Sequence, residues 1–240
     1  MAKNPVALGA IVSNTNPGIF PSREPLLGQH VKLERLTQDH SLGLHENLAS
    51  KDDVWTWWPD DSPVTTPADF VRWVNEYLEL TEHNRLVVWA VLPLSGPSKD
   101  KAAGLVMAQP GENLAHRVVE IGAIFGPVLQ KRRAGTEAFF LLCSLLFDRL
   151  NYRRMAWKTN SLNLPSRKAA ERLGLVYEGM FRQDQIFQGR NRDTVWYAMI
   201  DSEWPLCRKA FEVWLEDSNS DEHGRQRRRL QEIRESLKQV

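Results

Sequence analysis

Apolar and polar positions change period several times along the chain, and the changes predict an order of elements. Val31 to Leu36 alternates apolar and charged residues, the period of a half-exposed strand. A helix is expected from about Gln38 to Leu48, with Thr37 as its N-cap. Thr66-Pro67, followed by Phe70, Val71, Val74, Tyr77, Leu78 and Leu80, has the spacing of an amphipathic helix that ends near Glu82. Arg85 to Leu92 and Ala102 to Gln109 read as two strands around a turn-rich connection, and with Val118 to Phe125 they make an antiparallel meander. Val118 to Phe125 is uncharged apart from Glu120 and closes on Gly126-Pro127, as expected of a strand buried on both faces. A long helix from Thr136 to about Leu150, a strand at Arg154 to Thr159 and a short helix ending at Gly174 follow. Val176 to Phe181 and Thr194 to Ile200, joined around Gly189, give the last strand pair. Helices alternating with strands in this way predict a mixed α/β sheet.

The ends read differently from the middle. Residues 1–25 are rich in Pro, Asn, Ser and Gly and are expected to form an extended or disordered arm ahead of one domain spanning 26–216. Residues 217–240 form a charged tail in which Leu230, Ile233, Leu237 and Val240 fall at helical spacing beside Arg227-Arg228-Arg229. That stripe suits a partner or a second copy of the chain, a homodimer; a solvated, partly frayed helix is the plainer reading.

With 240 residues, 42% of them hydrophobic, the chain can bury one sizeable core. A formal net charge of +1 gives no global attraction to nucleic acid or anionic membrane, so any polyanion site must be local. Acids intersperse the arginines of the tail, and nucleic acid is not an expected partner. Cys143 and Cys207 are the only cysteines, which indicates neither a disulfide framework nor a zinc site, and no metal is expected. No window approaches the roughly 20 apolar residues of a membrane span, and a soluble, cytoplasmic protein is the default expectation.

Candidate chemistry concentrates between Val118 and Ser166. After that strand come Gln130, Lys131, Arg132, Arg133, Ala134 and Gly135, and then Thr136-Glu137 opens an apolar run with helical spacing, Thr136 being either the N-cap or part of the first turn. Free backbone N–H groups, the positive end of a helix dipole and three cationic side chains together favour a phosphate. A solvated basic loop before an ordinary helix is the plain alternative. Earlier in the chain, Trp55, Trp57 and Trp58 lie between Asp53 and Pro59-Asp60-Asp61 in a connection between helices. Trp57 and Trp58 can wall a substrate pocket, or the cluster can simply pack under the loop.

Four stretches, in this order and spacing, resemble the GNAT superfamily of acyl-CoA-dependent N-acetyltransferases, specifically its ribosomal-protein-alanine acetyltransferase (RimJ/RimL-like) branch. They are Glu120-Ile121-Gly122; Leu129 to Ala138 (LQKRRAGTEA); Asn163-x-x-Ser166 with Leu173-Gly174; and Tyr177-Glu178-Gly179-x-x-Arg182. Arg192-Asp193 and Glu203-Trp204-Pro205 match as well, and the resemblance covers about Leu26 to Trp214. It implies the GNAT fold, a mostly antiparallel sheet with flanking helices whose fourth and fifth strands, here Val118–Phe125 and Arg154–Thr159, splay apart. It also implies acetyl-CoA as co-substrate in that gap, with the backbone of Ala123, Ile124 and Phe125 holding the pantetheine arm and Gln130 to Thr136 holding the pyrophosphate. Asn163 either contacts pantetheine or stabilises the turn before Pro165. The implied reaction is direct acetyl transfer to a small amine or a peptide N-terminus in a ternary complex.

Two positions depart from the family pattern. Arg133 stands where the loop usually has its first glycine, which requires the backbone there to avoid positive φ. Ala170 stands where many members place a tyrosine that protonates the departing thiolate. By the resemblance, Ser166 takes that role; its plain alternative is to start a helix. Glu120, a lone strand acid, is the expected general base, with a pKa raised by its pocket, unless an arginine on a neighbouring strand makes it a structural ion pair. Tyr177 and Tyr197 are expected either to line the acceptor pocket or to pack in the core, and alternation forbids Trp196 and Tyr197 from sharing a face.

Overall fold

The computed structural model describes residues 8–238 apart from 23, 50–51, 59–63, 84–85 and 223–224. A short β1 (Leu26–Leu27) and β2 (Val31–Arg35) precede three helices, α1 (Ser41–Leu48), α2 (Asp52–Trp55) and α3 (Pro67–Glu82). The expected meander follows as β3 (Val87–Pro93), β4 (Gly104–Pro110) and β5 (Val118–Phe125). Next come α4 (Arg133–Ser144) with a π-helical continuation over Leu145–Arg149, β6 (Arg154–Asn160) and α5 (Leu164–Leu173). A long hairpin of β7 (Val176–Phe187) and β8 (Arg190–Ile200) leads into α6 (Trp204–Leu215) and α7 (Leu230–Leu237).

The strands make one eight-stranded sheet in the order β1-β2-β3-β4-β5-β6-β8-β7. Every neighbouring pair is antiparallel except β5 and β6. Local signals explain the boundaries. Thr66 and Asp69 form a reciprocal capping box at the start of α3, and Gly174, at φ 104°, ends α5 in the left-handed conformation.

Two cores lie on opposite faces of the sheet. Val119, Ile121, Met155, Trp157 and Tyr197 pack with α4, α5, α6 and α7 on one face; Leu105, Met107 and Ile124 pack with Leu44, Leu48, Phe70 and Trp73 of α1 and α3 on the other. The second core contains no residue of β6, β7 or β8. For that reason β5 is not buried on both faces as its composition suggested. Glu120 and Gly122, on the α1 and α3 side, remain half-buried because those helices do not extend over them, while Ala123 and Phe125 are half-buried at the edge of the core on the other face.

α4 begins at Arg133, three residues earlier than the pattern indicated, with Arg132 extended as its N-cap and Thr136 a turn inside. Its first turns anchor the first hairpin. The Glu137 side chain is buried and accepts three backbone N–H groups, from Gln29 at 2.8 Å, His30 at 2.7 Å and Val31 at 3.0 Å. Gly28 is required beside it, since a Cβ there would overlap the Glu137 carboxylate.

The tail corrects the expectation of a solvated, frayed helix. Leu230 and Ile233 are fully buried in the main core, and Arg234 donates to the carbonyls of Arg172 (3.0 Å) and Glu171 (3.2 Å) at the end of α5. The stripe considered for a second copy is therefore used within the chain; Val240 lies outside the described residues. The N-terminal arm is likewise tied down where it is described, through Gly18 N–H to Leu114 and Ile19 N–H to Leu150, both at 2.9 Å. Residues 1–7 lie outside the described residues. Cys143 and Cys207 are buried thiols, and burial pushes both above the usual cysteine range. Among the described residues no helix is long and apolar enough to cross a membrane, and no cluster of acids, histidines and cysteines could hold a metal.

Glu137→Ala leaves three amides without their acceptor and is expected to cost about 3 kcal/mol, read as a fall in Tm of roughly 6–12 °C for a domain of this size. Glu137→Gln keeps one good acceptor and should lose about half as much; a Tm unchanged in both would remove this contact from the stabilising set.

Candidate active site

The parallel pairing of β5 with β6 runs from Val118↔Arg154 to Ile121↔Trp157 and stops there. Gly126 N–H donates to Ala103 and the Val118 carbonyl accepts from Gly111, so the even-numbered residues of β5 turn their backbone groups toward β4. Alternation then turns those of Ala123 and Phe125 toward β6, beyond the point where the ladder ends. A strand edge with free N–H and C=O groups thus opens between two strands in mid-sheet. The Phe125 carbonyl is taken by the Gln130 side chain, whose Nε2 donates to it at 2.8 Å.

Past that edge the chain turns into α4. Lys131 takes the left-handed conformation at φ 57°, Arg132 is extended, and Arg133 is the first helical residue. Arg133 can stand at the usual glycine position because the positive φ falls two residues earlier. The first bond of the helix runs from Thr136 N–H to the Arg132 carbonyl, which leaves the N–H groups of Arg133, Ala134 and Gly135 without helical partners. At Gly135 a Cβ would overlap the Leu129 carbonyl oxygen, backbone that cannot swing aside.

Not every predicted side chain points into this cradle. Lys131 and Arg132 are exposed beside it. Arg133 is turned away, donating to Asp217 and to the Glu216 carbonyl, both at 2.8 Å. Thr136 is buried, its hydroxyl donating to the Arg132 carbonyl and accepting from Arg172 at 3.2 Å.

On the face left open by α1 and α3, Glu120 is not isolated. Lys158 of β6 pairs with it at 3.0 Å and lies 5.6 Å from the ring centre of Trp196 on β8. Lys158 is the first residue of β6 past the end of the β5 ladder, so this ion pair sits at the apex of the gap. The partner is a lysine rather than the arginine considered from the sequence. Along the same face of β8, Arg192 Nε, Thr194 Oγ1 and Trp196 Nε1 are buried without hydrogen-bond partners. Burial pulls Arg192 below its usual range, against the opposing influence of Asp184 and Glu120.

On the other face, Ser166 lies in the first turn of α5. Its N–H donates to Asn163 Oδ1 at 3.1 Å, which makes Asn163 the N-cap, and its Oγ accepts from the Trp157 indole at 3.0 Å. Ala170 is fully buried.

The aromatic assignments need correction. Tyr197 is fully buried on the α5 face, opposite Glu120, where its hydroxyl meets Arg167 (3.3 Å) and Glu171 (3.1 Å), so it is not a wall of a pocket on the Glu120 side. Tyr177 stacks edge-on against Tyr197 at 5.6 Å and shares its face, though it is half-exposed. Trp58 packs edge-on against Trp73 at 6.3 Å, as does Trp55 at 5.3 Å; Trp57 is only partly buried. Pro59, Asp60 and Asp61 lie outside the described residues. Sequence reasoning passed over Lys158, whose signal was available: it is the only charge inside the strand Met155 to Asn160.

A mid-sheet gap lined by backbone donors and followed at once by a helix N-terminus suits an extended ligand that carries phosphate. The chain belongs to the GNAT acetyltransferases: the family's acetyltransferase domain matches residues 30–176, more than half of the chain. A GCN5-related N-acetyltransferase from Brucella melitensis is 36% identical, with a TM-score of 0.86 over 93% of this chain and 100% of that one. A probable GNAT acetyltransferase from Chromobacterium violaceum is 29% identical, with a TM-score of 0.73 over 85% of this chain and all of that one. A ribosomal-protein-S5-alanine acetyltransferase from Vibrio fischeri shares the fold at 18% identity, with a TM-score of 0.61 over 75% of this chain and 98% of that one. No curated protein matches the chain. The protein is an N-acetyltransferase with acetyl-CoA as co-substrate.

The free edge of β5, the open amides of α4 and the glycine that a Cβ would crowd all fit that co-substrate. Gly135→Ala is expected to displace the loop and to cost about 1–3 kcal/mol through overpacking, with weaker CoA binding by calorimetry. Wild-type affinity in a stable Gly135→Ala protein would show that the cradle does not depend on this close approach.

Proposed function

We propose that the chain transfers an acetyl group to a primary amine, on a small molecule or a peptide N-terminus, by direct attack within a ternary complex. The observation that carries this reading is the apex of the β5–β6 gap, where free backbone donors and the Glu120–Lys158 pair meet. Acetyl-CoA supplies an activated thioester. The Ala123 N–H, fixed by the β4 ladder, is aimed where negative charge develops on the thioester oxygen and needs no reorganisation. Glu120 takes a proton from the acceptor ammonium, directly or through a water, so that a neutral amine attacks. Lys158 keeps that carboxylate in place until the acceptor arrives. Ser166 gives its hydroxyl proton to the leaving sulfur; because the Trp157 indole already donates to Oγ, the Ser166 proton is left to point elsewhere. Lys131, Arg132 and the open amides of Arg133, Ala134 and Gly135 hold the phosphates. The four motif matches and the Vibrio fischeri neighbour support a place near the RimJ/RimL branch.

Two observations favour a second reading, a GNAT fold that binds CoA without turnover: Glu120 already has a cationic partner, and the family's tyrosine position is a buried alanine. Release of free thiol from acetyl-CoA with a panel of primary amines separates the two. Turnover with at least one amine is expected, and binding of CoA without thiol release from any acceptor would favour the second reading. Glu120→Gln should lower kcat by about 10²–10⁴-fold with CoA affinity nearly intact; an unchanged kcat would remove Glu120 as the base.

The loop yields a separate expectation. Lys131→Ala with Arg132→Ala should weaken CoA about tenfold or more, and Arg133→Ala much less, because Arg133 is engaged by the C-terminal segment. Equal losses would mean that Arg133 turns back to the phosphates when CoA binds.

A further inference from the structure

At the end of the sheet opposite the thioester gap, a cavity of about 670 Å³ lies between the starts of β5 and β6, the end of β8 and the N-terminal arm. This is within the size range of small-molecule sites. Arg117 lines it and is only 5% exposed. Among the described residues its guanidinium makes one hydrogen bond, from Nη1 to Asn151 Oδ1 at 3.1 Å, and no carboxylate pairs with it. A buried cation with a single neutral partner is costly unless an anion joins it.

The surroundings point the same way. Arg153, exposed on the same wall, has no acidic partner among the described residues, whereas Arg154 is already paired with Glu178. His116 adds a third basic side chain, and Asp201 is the acid on the wall. Arg117 also sits at φ 54°, a left-handed conformation that favours Gly or Asn, so its side chain is not explained by the turn. Val12, Val118 and Ile200 give the rest of the wall an apolar character. The arm is wired to the same arginine, since Asn14 donates to Asn151 Oδ1 at 2.8 Å and Asn151 donates to the Asn16 carbonyl at 3.0 Å.

We propose that this cavity binds a small organic anion, a carboxylate or phosphate carried on an apolar body, with Arg117 at its floor and Arg153 at its mouth. Arginine's planar fork matches either group in a two-pronged contact, and the arm residues close over the apolar part. The site is separate from the CoA cradle, which lies at the other ends of the same strands.

Titration calorimetry on the full-length protein, saturated with CoA so that the phosphate cradle is filled, tests this with benzoate and phenyl phosphate as probes. Saturable binding of at least one probe is expected. Arg153→Glu should weaken it tenfold or more, Arg117→Asn, which suits the left-handed backbone, should abolish it, and Lys131→Ala with Arg132→Ala should leave it unchanged. Absence of saturable binding with both probes, wild-type affinity in Arg153→Glu, or loss in the loop variant would each overturn the proposal. Should Arg117→Asn fail to fold, the exposed Arg153→Glu decides alone.

Discussion

The fold turns on a parallel ladder only four residue pairs long. β5 and β6 are held together from Val118 to Ile121 and are free of one another beyond it, while β4 stays paired with β5 to its end. Because β4 fixes β5 along its whole length, the edge that β6 abandons does not collapse and its amides stay aimed. A parallel pair needs a crossover, and here the crossover is α4, whose N-terminus begins where the strand ends. One interrupted ladder therefore creates both the slot for an extended arm and the site for its phosphates.

Holding that crossover in place falls to contacts distant in sequence. Glu137 joins the second turn of α4 to the β1–β2 hairpin through three amides, and Arg133 joins the first turn to the segment after α6. Arg172 lies 4.9 Å from the ring centre of Trp214 while donating to Thr136, and Arg234 caps α5. The C-terminal helices thus bear on both helices that flank the gap. What reads in sequence as a charged tail is part of the scaffold of the cradle.

Much of this was legible in the sequence where local chemistry decides. The bounds of β5, the Thr66-Asp69 cap and the left-handed Gly174 follow from residues within a few positions of each other. The start of α4 was misplaced because Arg132 and Arg133 carry no cap signal; the helix begins there because Gly135 packs onto the Leu129 carbonyl, a contact no periodicity encodes. For Tyr197 the pocket and core readings both stayed open, because strand parity separates it from Trp196 without saying which of the two faces the core. Lys158 gains its meaning only from the register of β5 against β6. The tail was underestimated since three apolar residues, Leu230, Ile233 and Leu237, suffice to dock a helix that is polar everywhere else.

The two faces of the sheet divide the work unequally. On the α4 side the polar groups near the gap are satisfied: Trp157 donates to Ser166, Asn163 accepts from it, and Tyr197 has two partners. On the Glu120 side, Arg192 Nε, Thr194 Oγ1 and Trp196 Nε1 are buried without partners at two-residue intervals along one strand. Native proteins rarely leave such groups unpaired, and departures from local consistency concentrate where function demands them. Satisfied polar contacts rigidify the side that would hold the thioester, where geometry must be fixed in advance. On the side where the acceptor is proposed to enter, these groups are left to bond whatever polar atoms the acceptor or water brings to that face.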